Sequence, residues 1–287
     1  MIWFLLSLFT ALAVACRDLS IKVFKRFTVF DIAALELFWA LPVLISGLIF
    51  VPVPNLDSTF WWSCVIILPL NLAAYILYLY AIKLSPISLS VPFLSFTPVF
   101  MLITGLFVLN ETTNLWGGLG VGLIVLGSYV LHLNNGTNNF ITPFFAIAHE
   151  KGSWFMGIVA LLYAFSAVFG KKAILHSSPL FFSYSFFLFF NIVVLAGLLL
   201  SGRTAWRFLL QNIRPGLWLG GLLLIEVTAH GFAISMTTAV YMIAVKRSSI
   251  LFSVLLSWLI LKEGNIKARG LGTLLMFCGV LLITLLG

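Results

Sequence analysis

Residues 106–131 read LFVLNETTNLWGGLGVGLIVLGSYVL, and residues 258–283 read WLILKEGNIKARGLGTLLMFCGVLLI. Leu109, Glu111, Gly118, Leu119, Gly120, Leu123 and Gly127 return as Leu261, Glu263, Gly270, Leu271, Gly272, Leu275 and Gly279, each 152 positions later. Ala81 and Ile82 return as Ala233 and Ile234 at the same spacing, so the register holds without a gap from Ala81 onward. The chain therefore carries one module twice. Each copy joins an apolar run, a Glu at its end and a second apolar run spaced by glycines, which suits membrane spans better than a soluble repeat.

Composition agrees. Hydrophobic residues make up 62% of the 287 positions and charged residues 8%, too few to clothe a water-soluble surface. A helix needs roughly 20 apolar residues to cross about 30 Å of hydrocarbon. Ten segments meet that length, at about 2–21, 32–52, 60–82, 88–109, 114–132, 154–171, 179–201, 215–235, 238–261 and 268–286. The runs are continuous and lack the two-residue alternation of barrel strands, so an all-α polytopic membrane protein is predicted. The two copies divide it into residues 1–133 and 153–287, with 134–152 as linker. The first span lacks the basic start of a signal sequence and reads as a retained helix. Cys16, Cys64 and Cys278 are scattered inside apolar runs and suggest neither disulfides nor a metal site.

Basic residues fall unevenly across the predicted loops. The loops after spans 1, 3, 5, 7 and 9, with the span ends beside them, hold Lys22, Lys25, Arg26, Lys83, Lys151, Arg203, Arg207, Arg214, Lys262, Lys267 and Arg269, while the opposite side holds Lys171 and Lys172. The positive-inside rule then puts both termini outside the cytoplasm. The net charge of +8 reflects this topology and anionic lipid, and no nucleic-acid partner is required. Five spans per copy is an odd number, so the copies enter the membrane in opposite directions. Inverted repeats of this kind are the architecture of secondary transporters, with the site between the halves near the midplane.

The two glycine-rich junctions, together with this topology, resemble the drug/metabolite transporter superfamily, in particular its ten-helix EamA-type members. The resemblance covers both halves. It implies alternating-access transport, with protons or a counter-substrate as partner beside membrane lipid, of a small molecule drawn from a wide range. It also implies an integral protein of a bacterial or archaeal cell membrane. It names no substrate and no cofactor, and it leaves monomer and homodimer open.

Glu111 and Glu263 stand just ahead of the following helix, where a carboxylate favours the helix dipole and caps free amides; they are read as structural caps. The glycines at 118, 120 and 127, and at 270, 272 and 279, are read as packing devices that let helix backbones approach. Charges inside the spans carry more information, because each costs about 2.5–3.5 kcal/mol at a helix centre on insertion scales. Lys246 and Arg247 are adjacent in span 9, about 12 Å below the membrane edge at about 1.5 Å per residue. The first copy has Leu94 and Ser95 there, so duplication did not supply the charges. Guanidinium beside ammonium makes an anion receptor. The pair is also similar to the Lys-Arg dyad of the plastid sugar-phosphate translocators, which implies a phosphate-holding role. Snorkelling to lipid or neutralisation by a carboxylate is the plainer reading.

In span 8, Glu226 and His230 share one helical face and serve either to couple protons or to balance Lys246 and Arg247. In span 3, Asn71, Tyr75 and Tyr78 form one stripe, with Tyr78 at the repeat position of His230. Pro92 and Pro98 can kink span 4, placing Ser95 or Thr97 near a substrate. Arg17, Asp18, Lys22, Lys171 and Lys172 are read as interfacial anchors, Glu36 as a partner for Lys22 or Arg17, and most of the 28 Phe residues as lipid-facing bulk. The substrate-binding set is thus Lys246, Arg247, Tyr75, Tyr78, Asn71 and Ser95. An intramembrane enzyme is disfavoured: His149-Glu150 lacks the second His of a zinc protease helix, and neither a Gly-x-Ser-x-Gly elbow nor a P-loop occurs. The reading is a carrier of a small anionic or zwitterionic metabolite. A drug or cation exporter gripping through aromatic rings is the runner-up, and a non-transporting receptor is the remaining class.

Overall fold

The computed structural model describes residues 1–84, 91–133, 151–261 and 266–287. The described residues form helices joined by short turns. In chain order they are α1 (Ile2–Val23), α2 (Val29–Phe50) and α3 (Ser58–Leu84), followed by a 3-10 turn (Val91–Phe96) that runs into α4 (Thr97–Leu109) and by α5 (Leu115–Leu133). The second half has α6 (Lys151–Leu175), α7 (Pro179–Leu200), a short surface helix (Trp206–Gln211), α8 (Ile213–Ser235), a split helix of α9a (Ala239–Lys246) and α9b (Ser249–Leu261), and α10 (Ile266–Leu286). Among the described residues, seven helices are long and apolar enough to span a membrane. Shorter apolar helices at Phe93–Leu109, Leu115–Val130 and Leu271–Leu286 account for spans 4, 5 and 10. The chain is an all-α polytopic membrane protein. Exposed tryptophans at positions 61, 62, 116, 154, 206, 218 and 258 lie near helix ends, where indole favours the lipid–water boundary. The expected linker lies largely outside the described residues, and α6 already begins at Lys151.

Local sequence explains several helix ends. Thr28 and Asp31 close a capping box on α2, with the Asp31 amide donating to Thr28 Oγ1 at 3.1 Å and the Thr28 amide to Asp31 Oδ2 at 3.0 Å. Ser178 caps α7 ahead of Pro179, and Thr238 caps α9a. Asn110 ends α4 at φ 53°, a left-handed conformation that Asn tolerates, and so turns the chain sharply before Glu111.

The halves interlock. First-half α3 lies along second-half α6, and second-half α8 lies along first-half α1, the same pairing with the copies exchanged. Helices α5 and α10 pack on each other. A methyl group added at Gly120 would meet the Gly279 carbonyl oxygen at 2.8 Å, and one at Gly127 the Gly272 carbonyl oxygen at 2.7 Å. Moving up one helix thus means moving down the other, so the two copies of the motif run antiparallel. Gly118 has open space where a side chain would stand, so it is not part of this seam. The symmetry breaks at α2. Helix α8 sits close against it because Gly216 and Gly220 accept Trp39, whose indole donates to the Leu209 carbonyl at 3.2 Å. The positions 152 earlier on α3 are Cys64 and Leu68, and α3 meets α7 mainly through rings, Tyr75 on Phe190 at 5.6 Å and Phe60 near Phe181 at 6.1 Å.

Candidate functional site

Between the halves lies a cavity of about 270 Å³ lined from both copies by α1, α2, α3, α4, α6, α7, α8 and α9. Its size is at the small end of ligand pockets, about 300–1,000 Å³. Beside it α4 takes over from the 3-10 turn, and α9 is broken in two. The α-helix of α4 begins at Thr97 and that of α9b at Ser249, positions 152 apart, so a change of backbone recurs at this point in both copies. At the break in α9 the bonds tighten to three-residue steps, Ser248 to the Val245 carbonyl at 2.9 Å and Ile250 to the Arg247 carbonyl at 3.1 Å.

The charged wall starts from Glu226. Its Oε1 accepts from Lys246 Nζ at 2.8 Å, and its Oε2 from Arg17 Nη1 at 2.9 Å. The same Arg17 nitrogen reaches Glu36 Oε1 at 3.3 Å. A continuous chain of alternating charge thus ties α9a, α8, α1 and α2, and pairing of this kind makes intramembrane charge tolerable. Lys246 is therefore neutralised within the fold. Arg247 is held differently: its Nη2 donates to Thr97 Oγ1 at 2.8 Å, and Thr97 in turn donates to the Leu94 carbonyl at 2.6 Å. Among the described residues Arg247 makes no ion pair, and its buried Nε has no hydrogen-bond partner. His230 also lines the cavity, its buried Nδ1 without a hydrogen-bond partner among the described residues. Asp18 completes the set, so three cationic and three carboxylate side chains face this space.

Asn71, Tyr75 and Tyr78 all line the cavity, as their spacing predicts. Ser95 does not: it is buried and bonds to Ser128 of α5, because the 3-10 turn rotates it away from the space that Thr97 occupies. Arg17 and Asp18 face the cavity and are not interfacial anchors, since α1 presents them toward α2 and α8. Lys171 is likewise no lipid anchor. It is 6% exposed and bonds Glu111 and the Thr237 carbonyl. Glu111 caps a helix other than the one that follows it, accepting from the Ala239 amide of α9a at 2.8 Å, while Asn114 Oδ1 takes the Gly117 amide of α5 at 2.7 Å. Glu263 lies outside the described residues, as does the side chain of Lys22.

An aromatic wall is expected only of the exporter reading, and the sequence does not single out the Phe residues that form it. Phe182, Phe186, Phe187 and Phe190 of α7 line the cavity and are not lipid-facing bulk. Phe182, Phe186 and Phe190 form a ladder with centroids 5.3 and 6.2 Å apart and planes inclined by 16°. Their four-residue spacing was a usable signal, but uniform apolarity around α7 left its direction undetermined.

Among solved structures, one crystal structure, titled only as that of a protein, superposes with a TM-score of 0.77 at 16% identity. It covers 99% of this chain and 96% of its own. At that identity it shows the fold. Among curated proteins, none matches the sequence significantly. The family model described as the EamA-like transporter family matches residues 1–133. With the duplicated junction and the interlocked halves beside that match, the first half of the chain is similar to the EamA-like transporter family.

Proposed function

We propose that the protein is a secondary carrier that moves a small polar metabolite with an anionic group by alternating access, holding it between the two halves. The observation that carries this reading is Arg247. It is a cation beside the cavity, at the interruption of α9, bonded to a neutral hydroxyl and lacking a carboxylate partner among the described residues. A guanidinium so placed can take an oxyanion bidentately, with Thr97 as the placeholder. Lys246 acts on Glu226, whose double pairing suits charge balance better than proton exchange. Two features support movement. Irregular backbone at matching points of repeat-related helices is the kind of feature that marks transporter sites. The unequal packing of α2–α8 and α7–α3 is what one of two interchangeable arrangements looks like. We place both termini outside the cytoplasm, following the basic loops.

The test is counterflow in proteoliposomes across organic anions, zwitterions and quaternary amines. Anion or zwitterion exchange that disappears in Arg247→Gln, with the variant still monodisperse, supports the reading. Unchanged exchange in that variant ends it. The aromatic wall and the three carboxylates favour the second reading, a cation exporter, which exchange of quaternary amines alone would establish.

A further inference from the structure

We infer that the substrate is amphipathic: an anionic head joined to a flat, apolar body, with the head at Arg247 and the body against α7. This rests on the carrier reading above and narrows it to a chemical class. Helix α7 packs chiefly on α2 and α8, whereas Arg247 stands at the break in α9, so the Phe ladder and the guanidinium line the same cavity from different helices. Phe182, Phe186 and Phe190 are each buried yet border the space, and Phe187 widens the same face. Ile67, Leu37, Val227 and Ile243 add apolar surface to the same lining.

A wholly hydrated ion would leave this wall unmatched. Anchoring a small inorganic anion needs only Arg247, and the aromatic surface would then strip its water without replacing it. A planar apolar group gains there through burial and ring–ring contact. The reverse argument excludes a neutral hydrocarbon, because Arg247 would keep its unmatched donor. The modest cavity also argues against bulky conjugates such as nucleotide sugars.

Titration calorimetry on the purified full chain in micelles, with protein-free micelles as blank, tests this with phenylacetate, acetate and inorganic phosphate. Phenylacetate should bind about tenfold or more tightly than acetate, from the burial of its ring. Arg247→Gln should weaken both carboxylates. Phe186→Ala should erase the preference for phenylacetate and leave acetate unaffected. If that variant does not fold, Phe187→Leu should narrow the same preference. Equal affinity for acetate, phosphate and phenylacetate in the unmodified protein overturns the amphipathic class while leaving the anion carrier standing. A preference that survives the α7 substitutions also overturns it. Failure of all three probes to bind, with Arg247→Gln indistinguishable, removes both the class and the carrier reading.

Discussion

Helices α4 and α9 are two copies of one helix whose backbone changes at matching positions, and they differ in chemistry. At that point the first has Leu94, Ser95 and Thr97, and the second has Lys246, Arg247 and Ser249. Duplication preserved the backbone device, and charge was placed on one copy alone. The uncharged copy then supplies the acceptor for the charged one, as Thr97 receives Arg247 across the interface between the halves. A symmetric scaffold thereby holds an asymmetric site. The backbone geometry is shared by both halves, whereas the cation proposed to meet a ligand exists in one copy alone.

The sharpest way to break this comparison is to strip the charged copy of its support. Glu226→Gln leaves Lys246 and Arg17 facing a neutral amide, and loss of one member of a buried pair costs about 3 kcal/mol. A fall in thermal unfolding temperature of several degrees in detergent is expected. A variant as stable as the parent would show that the charges are met by water or lipid. Next in size is the repeated seam. Gly127→Leu must push against the Gly272 carbonyl and the Met276 backbone amide, costing about 2 kcal/mol through overpacking, while Gly118→Ala has open space and should be neutral. Equal stability of the two variants would mean that α5 and α10 are not held by close backbone approach.

A smaller effect sharpens the link between copies. Thr97→Val removes the oxygen that accepts from Arg247, a loss of about 1 kcal/mol in stability. Because the freed guanidinium should take up an anion more readily, binding of acetate should strengthen while stability falls. Weakened binding would place Thr97 among the groups that hold the ligand. The smallest effect lies at the membrane surface, where the loop before α3 meets the loop before α7. The Phe60 amide, donating to Asp57 Oδ1 at 2.9 Å, and His176 beside Oδ2 at 2.6 Å hold the Asp57 carboxyl below its usual range. A folded-state value below the unfolded one means that this contribution is present above the ordinary Asp range and disappears as pH falls through the lowered value. Asp57→Asn should therefore flatten the acid limb of a stability–pH curve slightly, and an unchanged limb would show that the contact adds nothing.

Much of the architecture was open to reading before any coordinates. Apolar runs of membrane length, the 152-residue repeat and the glycine spacing are properties of neighbouring residues, so they survive in one dimension. The glycine faces and the Asn71–Tyr75–Tyr78 stripe follow from helical period alone, whereas the pairing of α5 with α10 required the fold. Ser95 was misplaced because a 3-10 turn changes that period, and Phe182, Phe186 and Phe190 were overlooked because an evenly apolar helix has no preferred face. Glu111 looked like a cap for its neighbour until the left-handed Asn110 carried it across to α9a.

By itself the sequence determined that this chain crosses a membrane repeatedly as two related halves, since hydrophobic length and internal repetition need no partner to be recognised. Only the tertiary structure decided which charges neutralise one another. Arg17 meets Glu226 from 209 positions away, and Arg247 meets Thr97 from 150. Side chains that distant are brought together by how the helices pack, and that packing leaves Lys246 matched and Arg247 facing the cavity.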